Sequence, residues 1–246
     1  MELTGRAALI TGGKRIGVVV AERLAGVGVD VALSYNRSRD EAELAAERVR
    51  QTGRAAAVSQ ADLTRPTEVE RLVESTVSRF GRLDILINMA SVYRRKSFDA
   101  LTDADWTGAL DVDVSAAWRL ARAAAPHLRT AGAGRIVNFT DWIAASGRPR
   151  YPGYLPYYVA KRAVIGLTEA LALELAGDGI LVNAIAPGPI VAPPELDAGE
   201  VRAVERATPV GRWGGPEAIA DAVVGVLQSD FITGETIRVD GGRHLR

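Results

Sequence analysis

The chain of 246 residues contains no cysteine, which excludes disulfide bonds and thiolate chemistry. It has two histidines, His127 and His244, so we expect no histidine-built metal site. Its 30 basic and 30 acidic residues cancel, which gives no electrostatic reason to expect a nucleic acid or an anionic membrane as partner. No apolar run is long enough to span a bilayer, and the stretch from Met1 to Gly5 lacks the pattern of a signal peptide. We therefore expect a soluble cytoplasmic protein without a metal site.

Short apolar runs alternate with longer amphipathic segments along the whole chain, and no linker or repeat divides it. Apolar runs without polar alternation are typical of strands buried on both faces, and the helices between them force parallel pairing. The sequence thus predicts one α/β domain over residues 1–246, a doubly wound parallel sheet of about seven strands with helices on both faces. The predicted strands are 7–11, 31–35, 56–58, 85–87, 135–139, 181–185 and 235–239. The predicted helices are 16–27, 40–51, 67–80, 114–128, a segment containing Tyr157, and 216–227.

The least regular stretch, residues 187–215, carries five prolines with acidic residues between them. We expect a mobile loop with short helical pieces. Loops at the carboxyl ends of parallel strands often close over a substrate, so we interpret this segment as a substrate loop.

The first predicted strand runs into Thr11-Gly12-Gly13-Lys14-Arg15-Ile16-Gly17 and then into a helix. Glycines let a backbone approach a pyrophosphate closely, and the N-terminus of a helix supplies free N–H groups to it. The turn therefore predicts a site for the phosphates of a dinucleotide. Its candidate contacts are Gly12, Lys14, Arg15, Ile16 and Gly17. A simple glycine turn is the alternative, and the intact βαβ unit that follows favours the cofactor site.

The end of the second predicted strand distinguishes NAD from NADP, because an acid there binds the ribose hydroxyls of NAD. Between the end of this strand at Tyr35 and Asp40 there is no acid. Arg37 with Ser38 suits a 2′-phosphate, because an arginine can bind a phosphate through two parallel hydrogen bonds. We therefore expect NADPH/NADP as cofactor, although Arg37 could be only a solvated loop residue. Asp62, followed by Leu63, is placed to bind an adenine amino group or to cap the next helix.

Tyr157 and Lys161 are four residues apart, which places both side chains on one face of a predicted helix. An ammonium beside a phenol stabilises the phenolate, so we expect Lys161 to lower the pKa of Tyr157. A phenol tuned in this way can pass a proton to a carbonyl or imine near neutral pH. By chance most such pairs are only a helix face, so the rest of the chain must decide between the two interpretations.

Five segments, in their order along the chain, together resemble the short-chain dehydrogenase/reductase family over essentially the whole sequence. They are the glycine turn, Asn88-Met89-Ala90-Ser91, the Tyr157/Lys161 pair, residues 183–189 and the ending 232–242. The resemblance implies a Rossmann-type single domain, hydride transfer from a nicotinamide cofactor and a homotetramer. It also implies cofactor contacts at Asn88, Ala90, Tyr157, Lys161, Pro187 and Gly188.

Three departures from the family pattern resemble its pteridine reductase branch. Arg15 occupies a glycine position of the turn, Met89-Ala90-Ser91 replaces Asn-Ala-Gly, and Asp141 holds the place of the catalytic serine. This resemblance implies catalytic roles for Tyr157, Lys161 and Asp141, and substrate contacts at Arg15, Ser91, Tyr93, Asp141 and Tyr157. A flat pterin can stack on an aromatic ring such as Tyr93, and a carboxylate at Asp141 can accept a hydrogen bond from its amino group.

Alternatives remain open at three positions. Asp141 could be a strand-end acid bonded only to backbone, and Thr140 could supply a serine-like hydroxyl if the register is shifted by one. Asp113 aligns with the family's helix asparagine, where an acid could alter a proton relay or cap a helix starting near Val114.

The leading hypothesis is an NADPH-dependent reductase of C=N or C=O groups in a pterin- or dihydrofolate-type substrate. A 3-oxoacyl-carrier-protein reductase or general carbonyl reductase is the alternative, in which Arg94, Arg95 and Lys96 would meet an acidic carrier protein. The same three residues could clamp a folate glutamate tail or be solvated. A non-catalytic NADP-binding sensor is a second alternative, although such a protein has no need of the Tyr157 phenol.

Overall fold

The computed structural model describes residues 1–12 and 14–246, and within them seven parallel strands form one sheet. The strand order is β3-β2-β1-β4-β5-β6-β7. The strands are β1 Ala7–Gly12, β2 Asp30–Tyr35, β3 Ala56–Gln60, β4 Ile85–Met89, β5 Arg135–Phe139, β6 Leu181–Pro187 and β7 Thr236–Val239. The predicted doubly wound parallel sheet is confirmed, and each predicted strand overlaps an observed one.

Helices cover both faces of the sheet. Those of the described residues are α1 Ile16–Gly26, α2 Arg39–Gln51, α3 Pro66–Phe80, α4 Asp103–Leu110, α5 Ala116–Ala131, α6 Trp142–Ser146, α7 Leu155–Leu175, α8 Ala198–Ala207 and α9 Pro216–Gln228. None of them is both long and apolar enough to cross a bilayer.

The helix predicted at residues 114–128 begins earlier than expected. A π-helical turn, Asp111–Ser115, joins α4 to α5 into one continuous helical segment that starts at Asp103. Thr102 caps this segment by accepting a hydrogen bond from the Asp105 N–H, and the Asp105 side chain bonds back to the Thr102 N–H. The pattern Thr-x-x-Asp was the signal that the sequence interpretation missed.

The core lies in two layers, one on each face of the sheet, because strand side chains alternate between faces. In β1, Ala8 and Ile10 pack on the side of α1 and α9, whereas Leu9 packs on the side of α3 and α5. All three side chains are fully buried. Burial on both faces explains why the strands read as continuous apolar runs.

The segment 187–215, predicted as a loop with short helical pieces, contains the helix α8. The Asp197 carboxylate accepts hydrogen bonds from the Gly199 and Glu200 N–H groups, and the Glu200 carboxylate accepts one from the Asp197 N–H. This reciprocal capping fixes the start of α8 between two irregular, proline-bearing stretches.

At the amino-terminal edge of the sheet, Asp84 holds several chain segments together. Its carboxylate is fully buried and accepts hydrogen bonds from Arg6 at 2.9 Å, from Arg82 at 2.6 and 2.7 Å and from the Ala7 N–H at 2.9 Å. Burial raises the pKa of Asp84, but the hydrogen bonds from Arg82, Ala7 and Arg6 outweigh it, so the pKa lies below its usual value. The cluster therefore favours the folded state whenever Asp84 is ionised.

We predict that Asp84→Asn lowers the free energy of unfolding by about 3 kcal/mol at neutral pH, because two arginines lose a buried anionic partner. The folded-state pKa is depressed, so the contribution of Asp84 is present above the unfolded value of about 4 and is lost as the pH falls through the folded value. The difference between wild type and variant should therefore shrink in acid. Urea unfolding, followed by tryptophan fluorescence at neutral and acidic pH, measures both effects.

The matched control is Asp221→Asn, which removes an acid from an exposed ion pair with Arg23 at 2.8 Å. Its effect should stay below about 0.5 kcal/mol. Equal losses in the two variants, or a loss in Asp84→Asn that does not depend on pH, would contradict the assignment.

Candidate active site

The segments after β1, β4 and β5 leave the sheet at one edge, because the strands are parallel. Thr11 of β1 pairs with Asn88 of β4, which in turn pairs with Asn138 of β5. The strand order reverses next to β1, and open parallel sheets bind ligands at the carboxyl edge of such a reversal. The predicted glycine turn, the segment after Asn88 and Asp141 all lie at this edge.

A chain of buried polar groups fixes the orientation of Asn88. The Thr168 hydroxyl donates to the Val164 carbonyl and accepts from Asn138 Nδ2, and Asn138 Oδ1 accepts from Asn88 Nδ2 at 2.8 Å. Asn88 Oδ1 is then buried without a hydrogen-bond partner among the described residues. Asn88 lines a small cavity together with Thr11, Leu63, Ala90 and Asp113, among others. A buried acceptor that no protein donor satisfies suits a ligand or a water.

Asp141 stands directly after β5 and begins α6, and its two carboxylate oxygens have different partners. Oδ1 accepts from the Ile143 N–H at 2.7 Å and so caps α6. Oδ2 accepts from the Tyr157 hydroxyl at 2.9 Å. Thr140 is buried and donates its hydroxyl to the Lys161 carbonyl oxygen at 2.7 Å, so the Thr140 alternative is wrong. Asp141 therefore has both the backbone contact and the contact with the predicted catalytic tyrosine.

The prediction that the pKa of Tyr157 is lowered is wrong for this structure. Burial raises the pKa of Tyr157 well above its usual value, and the negative charges of Asp141 and Asp113 raise it further. Burial also raises the pKa of Asp141, against the opposing hydrogen bonds from Ile143 and Tyr157. The Lys161 ammonium lies 5.7 Å from the centre of the Tyr157 ring and bonds to other groups. Tyr157 therefore keeps its proton and can act as a proton donor.

Lys161 lies on α7, and only 4% of its side chain is exposed. Its ammonium donates to the Phe139 carbonyl oxygen at 2.8 Å and lies 2.7 Å from Asp113 Oδ1. The fully buried Asp113 carboxylate also accepts from the Ser91 hydroxyl at 2.6 Å and from the Val92 N–H at 3.2 Å. The sequence drew attention to Asp113, but it gave no indication of a direct ion pair with Lys161.

The π-helical turn carries Asp113 to this place. Within the turn the Ala116 N–H bonds to the Asp111 carbonyl, five residues back. Such a turn inserts one extra residue into a helix and is frequent at functional sites. Since the helix continues through Asp113, and since its carboxylate bonds to Ser91, Val92 and Lys161, the helix-cap alternative is wrong.

Two tyrosines form an aromatic wall beside Tyr157. The Tyr93 ring stacks on Tyr154 with centroids 4.5 Å apart and meets the Tyr157 ring edge-on at 4.8 Å. Tyr93 is 61% exposed, which leaves aromatic surface open beside the Tyr157 hydroxyl. The Lys96 N–H bonds to the Gly153 carbonyl at 2.8 Å and joins the two segments that carry the wall. Sequence reasoning missed Tyr154, although the spacing of tyrosines at 151, 154 and 157 was available as a signal.

The turn after β1 is tight and contains an unusual arginine. Gly12 has φ 68° and Arg15 has φ 60°, in the left-handed half of the backbone map. A Cβ on Gly12 would lie 2.6 Å from Ala90 Cα, so the turn passes directly over the end of β4. Arg15 has ψ −65°, and the Ile16 N–H bonds to the Lys14 carbonyl at 2.6 Å, which makes a strained γ-turn centred on Arg15. Gly13 of the predicted turn lies outside the described residues.

The N-terminus of α1 follows this turn at Ile16. It has no side-chain cap, and no acidic residue lies in its first turn. Gly17 packs closely, since a Cβ there would lie 3.3 Å from the Gly12 carbonyl oxygen. The first N–H groups of α1 and its dipole therefore fit an anion such as a phosphate.

Exposed basic side chains flank the same turn. Lys14 and Arg15 belong to it, and Arg37 follows β2. Lys14 forms a loose, exposed ion pair with Glu41 at 3.4 Å. Ser38 precedes α2 but does not cap it with its side chain. The donors at this end of the sheet thus fit an anion.

Asp62 does not cap α3, because the capping position is Arg65 and no side chain caps there. The Asp62 carboxylate accepts from the Thr64 hydroxyl at 2.7 Å and from the Thr64 N–H at 3.0 Å, and these bonds lower its pKa. The helix-cap alternative for Asp62 is therefore wrong.

At the far side of the same edge, Pro187 ends β6. Gly188 packs against Asp240, because a Cβ on the glycine would lie 2.4 Å from the Asp240 Cβ.

We predict that Arg15→Gly raises the free energy of unfolding by about 1 kcal/mol, because glycine adopts this backbone conformation without the strain of a side chain. Arg37→Gly is the matched control: Arg37 has no positive φ to relieve, so the same change should lower stability. Thermal unfolding of both variants and wild type measures the effect. A fall in stability for Arg15→Gly would mean that Arg15 makes a compensating contact.

Comparison with known proteins gives matches over nearly the whole chain. The family model described as "Enoyl-(Acyl carrier protein) reductase" matches residues 12–244. The chain is 37% identical to the short-chain reductase protein NovJ of Streptomyces niveus, over 96% of this chain and 93% of NovJ. It is 34% identical to the 3-oxoacyl-[acyl-carrier-protein] reductase FabG of Staphylococcus aureus, over 100% of both chains.

Solved structures agree with these sequence matches. A short-chain dehydrogenase/reductase of Serratia marcescens superposes with a TM-score of 0.91 at 33% identity, over 99% of this chain and 100% of that one. A short-chain dehydrogenase of Burkholderia cenocepacia, in complex with NADP, superposes with a TM-score of 0.90 at 35% identity, over 99% of both chains. With the matched family model and the relatives above, these likenesses show that the chain belongs to the short-chain dehydrogenase/reductase family.

Proposed function

We propose that this oxidoreductase is an NADPH-dependent reductase that acts on a C=N or C=O group of a pterin- or dihydrofolate-type substrate. The observation that carries the proposal is the hydrogen bond from the Tyr157 hydroxyl to Asp141 Oδ2 at 2.9 Å. It places a proton donor and a carboxylate side by side, where a simple ketone needs only one hydroxyl to orient it.

The cofactor assignment rests on the chemistry of the donors at the phosphate end. The uncapped N-terminus of α1 and the glycine turn offer N–H groups to the pyrophosphate of the cofactor. Lys14 and Arg15 would contact the same phosphates, and Arg37 with Ser38 would hold the 2′-phosphate. The orphaned Asn88 Oδ1 would accept a hydrogen bond at the cofactor's sugar end, with Asp62 at the adenine. The NADP-bound Burkholderia cenocepacia relative supports the choice of NADP over NAD.

NADPH, when bound, supplies the hydride that reduces the carbon of the C=N or C=O group. The Tyr157 hydroxyl donates the proton to the nitrogen or oxygen of that group. Its raised pKa keeps the phenol protonated, as a donor in the direction of reduction must be. Asp141 holds the hydroxyl in place and can also accept from an amino group on the edge of the heterocycle. Lys161 would bind the nicotinamide ribose, and its ammonium is held by the Phe139 carbonyl oxygen and by Asp113.

The aromatic wall supports a flat substrate. Tyr93 exposes most of its surface and is held by Tyr154, so a planar heterocycle can stack against it next to the Tyr157 hydroxyl. Arg15 and Ser91 complete the predicted substrate contacts. The segment 187–215 would close over the substrate from the β6 side.

A 3-oxoacyl-carrier-protein reductase is the second candidate, and the full-length match to FabG favours it. In that function Arg94 and Arg95, both exposed, would meet the acidic carrier protein. Lys96 contributes less, because it is paired with Asp105.

The hydrogen bond between Tyr157 and Asp141 argues against a non-catalytic NADP sensor. The homotetramer and the cytoplasmic location stay predictions from the sequence, and ultracentrifugation would test the former.

The deciding experiment follows NADPH absorbance with dihydrobiopterin, dihydrofolate and an acetoacetyl thioester in parallel. We expect pterin turnover by the wild type and a loss of about 100-fold or more in Asp141→Ser and in Tyr157→Phe. Asp221→Ser, an acid-to-serine change in an exposed ion pair, serves as control. Turnover of the thioester alone, unharmed by Asp141→Ser, would refute the pterin assignment and favour the carrier-protein function.

We predict that Arg37→Ala raises the KM for NADPH about tenfold to a hundredfold and leaves the KM for NADH nearly unchanged, because a lost charge-assisted hydrogen bond is worth about 1.5–3 kcal/mol. Arg39→Ala, an exposed arginine in the first turn of α2, is the matched control and should change neither value. Steady-state kinetics with both cofactors measures this. A parallel rise for NADH would show that Arg37 does not recognise the 2′-phosphate.

A further inference from the structure

The buried ammonium of Lys161 faces a carboxylate that is equally buried. The side chains of Lys161 and Asp113 are 4% and 0% exposed, and their charged atoms are 2.7 Å apart. A cation removed from water needs an anion or several strong acceptors, since neutral groups compensate only part of the lost hydration. The Phe139 carbonyl is the other acceptor of this ammonium.

Asp113 contacts three polar groups from two parts of the chain. Its Oδ1 forms the ion pair with Lys161 and accepts a hydrogen bond from the Ser91 hydroxyl, and its Oδ2 accepts one from the Val92 N–H. Ser91 and Val92 directly precede Tyr93, whose ring touches Tyr157. An amide in place of the carboxylate has one acceptor oxygen and would turn an NH₂ group towards one of these donors. The three groups therefore fit a carboxylate better than an amide.

We propose that Asp113 is a positioning residue: its buried carboxylate cancels the charge of Lys161 and ties that lysine to the segment bearing Tyr93. The inference rests on the proposed function in taking the Tyr157 centre as the reducing site. The place of Asp113 in the π-helical turn supports it, because such turns are frequent at functional sites.

The consequence concerns the proton on Tyr157. The charged and titratable groups that face Tyr157 are Asp141, Asp113, Lys161 and Tyr93. A free lysine beside a phenol favours the phenolate, whereas a neutralised one does not. With Asp113 in place, burial and then the two carboxylates favour the neutral form of Tyr157, which stays a phenol with Asp141 as its hydrogen-bond acceptor.

The test is the ionisation of Tyr157 in the ligand-free full chain. Ultraviolet difference absorbance on raising the pH, taken against the same protein carrying Tyr157→Phe, isolates this tyrosine from the others. We expect Asp113→Asn to move the ionisation of Tyr157 to lower pH by at least about one unit, because a negative charge is lost and a positive charge is released. The alkaline limb of the kcat profile should move in the same direction, and kcat/KM should fall on the order of tenfold to a hundredfold.

Asp111→Asn is the matched control, since it removes the same charge from the same π-helical turn. Its carboxylate is 46% exposed and lies 3.6 Å from Arg119. It should leave the ionisation of Tyr157 and the activity unchanged. Ser91→Ala removes a neutral donor to Asp113 but keeps the charges, so it should lower kcat/KM without moving the ionisation. An Asp113→Asn titration that coincides with that of Asp111→Asn overturns the proposal.

If Asp113→Asn folds poorly, a second measurement still tests the proposal. Lys161→Met combined with Asp113→Asn removes both charges, and the double variant should be more stable to heat than Asp113→Asn alone. Additive losses in this cycle would overturn the ion pair as the organising contact. If the wild type reduces none of the substrates, the proposed function fails, while the titration and the cycle still decide the role of Asp113.

Discussion

The ammonium of Lys161 is buried, and a buried cation must be paired. The groups that surround this ion pair come from four segments of the chain. Lys161 comes from α7, the Phe139 carbonyl from the end of β5, Asp113 from the π-helical turn, and Ser91 with Val92 from the segment after β4. None of these segments is near another in sequence. Their convergence fixes the floor of the site, because moving any one of them leaves a charge or a strong donor unsatisfied in the interior.

The two carboxylates of the site act on Tyr157 in one direction. Asp141 accepts its hydrogen bond and Asp113 pairs with the nearby lysine, so both favour the protonated form of the buried phenol. Asp84 at the opposite edge of the sheet shows the contrasting use of a buried carboxylate. There the arginine donors keep the acid ionised, and the cluster serves stability.

The sequence predicted the parts of the fold that depend on local patterns. The continuous apolar runs gave the strands because each is covered on both faces, as Leu9 and Ile10 are by opposite layers. The spacing of Tyr157 and Lys161 gave their shared helix face. The first failure was local: the helix before Asp113 was missed, although the capping box of Thr102 and Asp105 marks its start in the sequence. The second failure was long-range: the pKa of Tyr157 was assigned the wrong direction, because it depends first on the burial of the phenol and then on Asp141 and Asp113, which the fold brings to it from other segments.

By itself the sequence determined the parallel sheet, the glycine turn, the basic residues after β2 and the acid in the place of the usual serine. These follow from periodicity, from the backbone freedom of glycine and from residue identity, which the chain carries locally. Only the tertiary structure decided that Asp141 bonds to Tyr157, that Tyr154 supports Tyr93, and that Asp113 cancels Lys161. The reason is that burial and charge pairing depend on which distant segments meet, and a pKa follows from that meeting rather than from the residue type.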